Sequence, residues 1–135
     1  NIRMHTNDTN TKLIHSELSY LLTGIFFEIH NTLGRYSKER QYADALEAKL
    51  RGLRVPFAHE HEIKQSRDRV DFIIDNKIII ELKARRVITR EDYYQMQRYL
   101  QASGLRLGLL VNFRNRYLKP VRVVRIDTAH RSKFV

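Results

Sequence analysis

Apolar residues recur at spacings of three and four between Ile14 and Leu33, taking in Leu18, Leu21, Leu22, Ile25, Phe26 and Ile29. That period predicts an amphipathic helix with a wide apolar face. Gly34 stands just past it, where a left-handed stop is favoured. Gly24 lies inside the pattern, at a cost of about 1 kcal/mol relative to alanine. A second helical pattern runs through Tyr42, Ala45, Leu46 and Leu50, with Ser37 as its expected N-cap and Gly52 as its stop. After Pro56 the pattern changes. Ala58 to Gln65, Val70 to Ile74 and Ile78 to Lys83 read as strands, and Asp75-Asn76-Lys77 supplies the turn chemistry for a hairpin between the last two. Thr89 is the expected cap of a third helix, with Glu91 and Asp92 in its first turn and Gly104 past its end. Leu105 to Phe113 and Val121 to Ile126 read as two further strands. The resulting order, α-α-β-β-β-α-β-β, predicts an α/β or α+β fold with one sheet flanked by helices.

One strand breaks the simple pattern. Ile78-Ile79-Ile80 favours full burial, yet the same strand ends in Glu81-Leu82-Lys83. Glu-x-Lys is common here, occurring also at Glu47-Ala48-Lys49 and Glu62-Ile63-Lys64. The former lies on a predicted helix, where residues two apart diverge, and the latter has little apolar flanking. Only Glu81 ends a strongly apolar strand beside another strand with an acid in an apolar run, Asp71. Buried charge is costly without a partner. Two such carboxylates, with the Leu82 carbonyl and waters, make an oxygen shell suited to Mg²⁺. Lys83 would then position or help deprotonate an attacking water and offset phosphate charge. There is a geometric condition: Asp71 opposes Glu81 only if the hairpin loop holds three residues, 75 to 77, or a bulge intervenes.

Composition narrows the partner. Lys and Arg number 25 against 15 Asp and Glu, a net charge of +10 that favours a polyanion such as nucleic acid. The densest basic cluster is Arg114, Arg116, Lys119, Arg122 and Arg125. The absence of cysteine excludes disulfides, thiolate nucleophiles, zinc ribbons and iron–sulfur clusters, and is compatible with a cytoplasmic setting. No apolar stretch reaches membrane-spanning length and no signal pattern opens the chain, so no membrane partner is expected. At 135 residues one core is expected. Residues 1–10 read as a flexible segment, 11–127 as a single domain and 128–135 as a basic tail. His59 and His61 are expected on one strand face, but no third ligand is near in sequence to complete a metal site. By their own patterns, Glu39 is a first-turn acid favoured by the helix dipole and Gln95 an exposed helix residue sharing a face with Tyr99.

Taken together, Asp71, the ten-residue step to Glu81-Leu82-Lys83, the earlier acid Glu39 and the run Gln95-x-x-x-Tyr99-Leu100 resemble the PD-(D/E)xK nuclease superfamily. The Gln and Tyr pattern is similar to its RecB-like branch. More closely, five ordered segments resemble the bacterial GxxExxY proteins over about residues 16 to 126. They are Leu33-Gly34 leading to Glu39-Arg40-Gln41-Tyr42, then Asp71-Phe72-Ile73-Ile74, Ile80 to Ala84, Gln95 to Leu100, and Gly104 to Phe113. The family's glycine three residues before the helix glutamate is Tyr36 here, so only the ExxY part of that motif is present.

The resemblance implies a restriction-endonuclease-like αβββαβ core in which Asp71 and Glu81 hold Mg²⁺ or Mn²⁺. It implies Lys83 as the catalytic lysine, Glu39 as a further acid ordering metal-bound water, and Gln95 as a helper at the site edge. The expected activity is metal-dependent hydrolysis of DNA, with RNA left open as a substrate and a homodimer left open as the assembly. Arg85, Arg86, Arg114, Arg116 and Lys119, with Tyr99, are the expected nucleic-acid contacts, the basic ones touching phosphates without reading sequence. Two other readings stand beside it: a structure-selective endonuclease of the Holliday-junction type, and a catalytically silent basic nucleic-acid-binding module with the same fold.

Overall fold

The computed structural model describes residues 14–63 and 69–127, so the segment 1–10, the predicted strand end at Lys64 and Gln65, and the tail 128–135 lie outside the described residues. The elements follow the expected order: α1 (Ser16–Leu33), α2 (Glu39–Gly52), β1 (Phe57–Glu62), β2 (Arg69–Ile74), β3 (Ile78–Lys83), α3 (Arg90–Ser103), β4 (Leu107–Asn112) and β5 (Val121–Val124). The strands form one mixed sheet ordered β1-β2-β3-β4-β5. Only β3 and β4 are parallel, and α3 crosses between them.

Both sheet faces are covered. Leu22, Ile25, Phe26 and Ile29 of α1 and Tyr42, Leu46 and Leu50 of α2 pack on Phe72, Ile80, Leu109 and Val111. On the other face, Met96, Tyr99 and Leu100 of α3 cover Ile73, Ile79 and Leu110. A strand with both faces buried gains from apolar residues at consecutive positions, which is why Ile78-Ile79-Ile80 does not alternate. Gly108 on β4 lets α3 approach, since a Cβ there would run into the Met96 side chain.

Local boundaries moved where side chains found other partners. The cap of α2 is Lys38, whose NH is accepted by Gln41 Oε1 at 2.9 Å, while the Ser37 hydroxyl donates to the Leu33 carbonyl at 3.1 Å. Thr89 caps α3 as expected, its NH donating to Asp92 Oδ2 at 2.8 Å, and Gly104 ends it at φ 77°. The fifth strand stops at Val124, two residues short of expectation, because the Ile126 NH turns to Gln97 Oε1 at 3.1 Å.

The loop between α1 and α2 is held from below by Tyr42. Its ring stacks on Phe113 at 4.1 Å and 7°. Its hydroxyl donates to the Gly34 carbonyl at 2.6 Å and accepts from the Ser37 NH at 3.1 Å. Both bonds fix the backbone just ahead of Glu39.

The expectation that His59 and His61 share a face is overturned. Glu60 between them adopts φ 52°, and the β1–β2 ladder skips the Glu60–Asp71 step between His59–Phe72 and His61–Val70. A left-handed residue inside a strand resets the alternation. His59 stacks on Phe72 at 4.2 Å, on the face of α1 and α2. His61 borders Ile73 and Ser103, on the face of α3.

Candidate active site

The skipped step at Asp71 is where the candidate site begins. In the β2–β3 hairpin Ile74 pairs with Ile78, leaving the three-residue loop 75–77. Asp75 and Asn76 take left-handed φ values of 49° and 56°, and the Lys77 NH closes the turn on the Ile74 carbonyl at 2.9 Å. Lys77 is the extra loop residue that sets the parity of the hairpin. One step past the pair Phe72–Ile80, that register brings Asp71 to Glu81.

There the backbone ladder gives way to the two acids themselves. The Leu82 NH donates to Asp71 Oδ2 at 2.7 Å, and the Asp71 NH donates to Glu81 Oε1 at 3.1 Å. The side chains thereby take over bonds that backbone carbonyls would otherwise accept. Because β1 also loses its pairing at this step, Asp71 stands where the sheet opens on both sides.

Glu81 is only 5% exposed. Burial pushes its carboxyl up from the ordinary 4.5 to about 8, with the negative charge of Asp71 as the next cause. The hydrogen bond from the Asp71 NH and the charge of Lys83 pull the other way but do not prevail. At neutral pH Glu81 therefore keeps its proton.

Lys83 leaves the same strand toward α3, its Nζ 4.0 Å from Asp92 Oδ1. Asp92 is buried and also receives the Arg85 guanidinium. Burial alone would raise its pKa; the Thr89 NH, the Arg85 guanidinium and Lys83 outweigh that and hold the carboxyl below its ordinary value. Sequence reasoning placed Asp92 only in a first helical turn. Its role was legible in part, since Thr89-x-x-Asp92 is a capping-box pattern. Its link to Lys83 and Arg85 depends on where α3 packs.

A cleft of about 530 Å³ runs over this region, lined by Glu39 and Arg40 of α2, by His59 and Glu60 of β1, and by Asp71 and Leu82. Asp44 and Glu47 add two more carboxylates to its wall. Glu47 is neutralised locally, bound by Arg51 at 2.8 Å and His59 at 2.8 Å. A cleft this acidic in a chain of net charge +10 repels phosphate unless a cation intervenes. Among the described residues no three His, Asp or Glu groups converge into a complete metal shell. The donors present are the Asp71–Glu81 pair, two hard carboxylates in contact with one extra proton to lose. Their chemistry fits a hard divalent cation whose remaining positions are filled by water.

The other sequence candidates are dispersed. Glu39 shares the cleft with Asp71. Gln95 is half-buried on α3 and is not part of the cleft lining. Tyr99 is 6% exposed in the core under α3, a burial that does not fit the expected nucleic-acid contact. Of the basic cluster, Arg122 donates to Ser19 Oγ and to the Ile14 carbonyl, and Arg125 pairs with Asp127, so both support the fold. Arg86, Arg114 and Arg116 meet in a second pocket of about 440 Å³, and Lys119 is exposed in the same β4–β5 connection.

No helix among the described residues is long and apolar enough to cross a membrane. Comparison with curated protein sequences and with solved structures gave no match. A family model described as the PD-(D/E)XK nuclease superfamily does match, over residues 16–126, a span that takes in every element from α1 to β5. With the mixed sheet, its flanking helices and a carboxylate pair followed by a lysine at the end of the central strand, that match means the chain belongs to the PD-(D/E)XK nuclease superfamily.

Proposed function

We propose that this protein is a divalent-metal-dependent nuclease that hydrolyses phosphodiester bonds of DNA. The observation that carries the reading is the contact between Asp71 and Glu81, with Glu81 held protonated by burial and Asp71 lining an acidic cleft. Such a pair is unfavourable as it stands and becomes favourable on exchanging its proton for a cation. Asp71 and Glu81 would hold Mg²⁺ or Mn²⁺ together with the Leu82 backbone carbonyl, and Glu39 would act through water from across the cleft. When bound, the cation supplies charge neutralisation and Lewis acidity at the scissile phosphate.

The chain's own groups do the rest. Lys83, steadied toward Asp92, orients the attacking water and offsets charge that develops on the phosphate. Gln95, half-buried on α3, would serve at the site edge. Arg85, fixed on Asp92, keeps the strand end and the start of α3 together, while Arg86, Arg114, Arg116 and Lys119 contact the backbone of the substrate. Within the superfamily, the ordered motifs support a place among the GxxExxY proteins, and Gln95 with Tyr99 a kinship to the RecB-like branch.

The test is cleavage of single-stranded, duplex and branched DNA, and of RNA, with Mg²⁺, Mn²⁺ or EDTA. Wild type is compared with Glu81→Ala and Lys83→Ala. Metal-dependent cleavage that each substitution reduces by about 100-fold or more is expected. Equal cleavage by the substituted proteins identifies a contaminant and overturns the assignment.

A further inference from the structure

Three loops meet beside the candidate active site and build a surface whose arginines the hydrolytic reading uses only as phosphate contacts and whose tyrosines it leaves without a role. Tyr36 lies between α1 and α2, Arg86 follows β3, and Arg114, Arg116 and Tyr117 follow β4. The side chains of Arg35 and Arg114 interlock: each Nε–H donates to the other's backbone carbonyl, at 2.9 and 3.0 Å. Both guanidiniums lie on the Tyr36 ring, at 5.0 and 5.5 Å from its centre, and Arg116 lies on Tyr117 at 5.4 Å.

The loops are tied to one another below this surface. Asn112 donates to the Arg85 carbonyl at 2.7 Å, and its Oδ1 accepts from the Arg85 and Arg114 NH groups at 3.0 and 3.3 Å. His30 on α1 bonds the Asn115 carbonyl at 2.9 Å. The pocket is therefore built rather than a chance gathering of mobile arginines. Its lining holds four arginines and no carboxylate, the opposite of the acidic cleft.

Tyr36 is 73% exposed and Tyr117 79% exposed, values that leave most of each ring open to water. Arginines alone would suit any phosphate backbone. Open aromatic faces add a condition, because in a duplex both faces of a base are already stacked, whereas an unpaired base gains by stacking on a tyrosine. We infer that this pocket binds a single-stranded segment of nucleic acid, with unpaired bases stacked on Tyr36 and Tyr117 and their phosphates on Arg35, Arg86, Arg114 and Arg116. The chain leads from it to the candidate site by two short routes: Tyr36 precedes Glu39 by three residues and Arg86 follows Lys83 by three. A strand held there is delivered to the carboxylate pair.

The inference rests on the nuclease reading for its purpose, but its test does not need cleavage. Fluorescence anisotropy in EDTA compares a labelled oligothymidylate with a blunt hairpin duplex of equal length, for the full chain and for Tyr36→Ala and Tyr117→Ala. Tighter binding to the single strand is expected, weakened roughly 5- to 100-fold by each substitution. The chain contains no tryptophan, so Tyr36→Trp places a single indole on the platform. Its emission is expected to be quenched by oligothymidylate and little changed by the duplex. Binding unaffected by both alanine substitutions, or an indole that the oligothymidylate does not quench, overturns the inference. Loss of the nuclease reading alone appears differently, as intact tyrosine-dependent binding in a protein that cleaves nothing.

Discussion

Glu81→Gln in the metal-free protein tests the electrostatics of the carboxylate pair most directly. The Glu81 carboxyl rises from 4.5 to about 8 in the fold. A rise of roughly 3.5 units at about 1.36 kcal/mol each corresponds to ~5 kcal/mol of stability withdrawn once the group ionises. The native state binds the extra proton, so stability falls as pH rises from about 4.5 and levels off above about 8. Glutamine reproduces the protonated form, still accepts from the Asp71 NH and never ionises. Below about pH 5 the two proteins are expected to be close in stability. Near pH 9 the variant is expected to be more stable by roughly 2–5 kcal/mol. Urea unfolding followed by circular dichroism in EDTA measures both curves, and their difference removes the histidine titrations common to both. In the same assay above about pH 8, Mg²⁺ at about 100 times its dissociation constant would add ~2.7 kcal/mol to the wild type and much less to the variant. A difference between the two proteins that stays constant from about pH 5 to pH 9 refutes the argument, because it means that Glu81 titrates alike in the folded and unfolded chain.

Two further substitutions probe the supports of the site. Tyr42→Phe keeps the stack on Phe113 but removes the hydroxyl between the Gly34 carbonyl and the Ser37 NH. It is expected to cost about 1–3 kcal/mol by denaturant unfolding, and an unchanged midpoint would mean that water replaces the hydroxyl without loss. Asp92→Asn removes the charge shared by Arg85 and Lys83 and weakens the α3 cap. A loss of about 1–3 kcal/mol is expected at neutral pH. Because the Asp92 carboxyl sits below its ordinary 3.8, that difference should shrink as acid protonates the wild-type group, and a difference that persists in full at low pH refutes an ionic origin.

Much of the fold was legible along the chain. The three helices and the β2–β3 hairpin followed from apolar period and turn residues, and parity over residues 75–77 set the condition, a three-residue loop or a bulge, under which Asp71 comes to Glu81; the loop has three residues. These features depend on local geometry: a period of 3.6 or 2 states which face an element buries, and a loop of three residues sets how two strands align. The same reasoning failed at Glu60, where one left-handed residue sent His59 and His61 to opposite faces. Alternation assumes uninterrupted extended backbone, and no residue in His59-Glu60-His61 signals the break.

What only the tertiary structure decided is the company each group keeps. Period shows that Tyr99 lies on a helix face, but the sheet beneath α3 makes that face core. A run of arginines reads as one basic cluster, yet Arg122 reaches across 103 residues to Ser19 while Arg114 interlocks with Arg35 beside Tyr36. Sequence alone set Asp71 and Glu81 on adjoining strands. Whether Glu81 keeps its proton depends on burial and on the nearness of another charge, quantities summed over neighbours from the whole chain and carried by no local pattern.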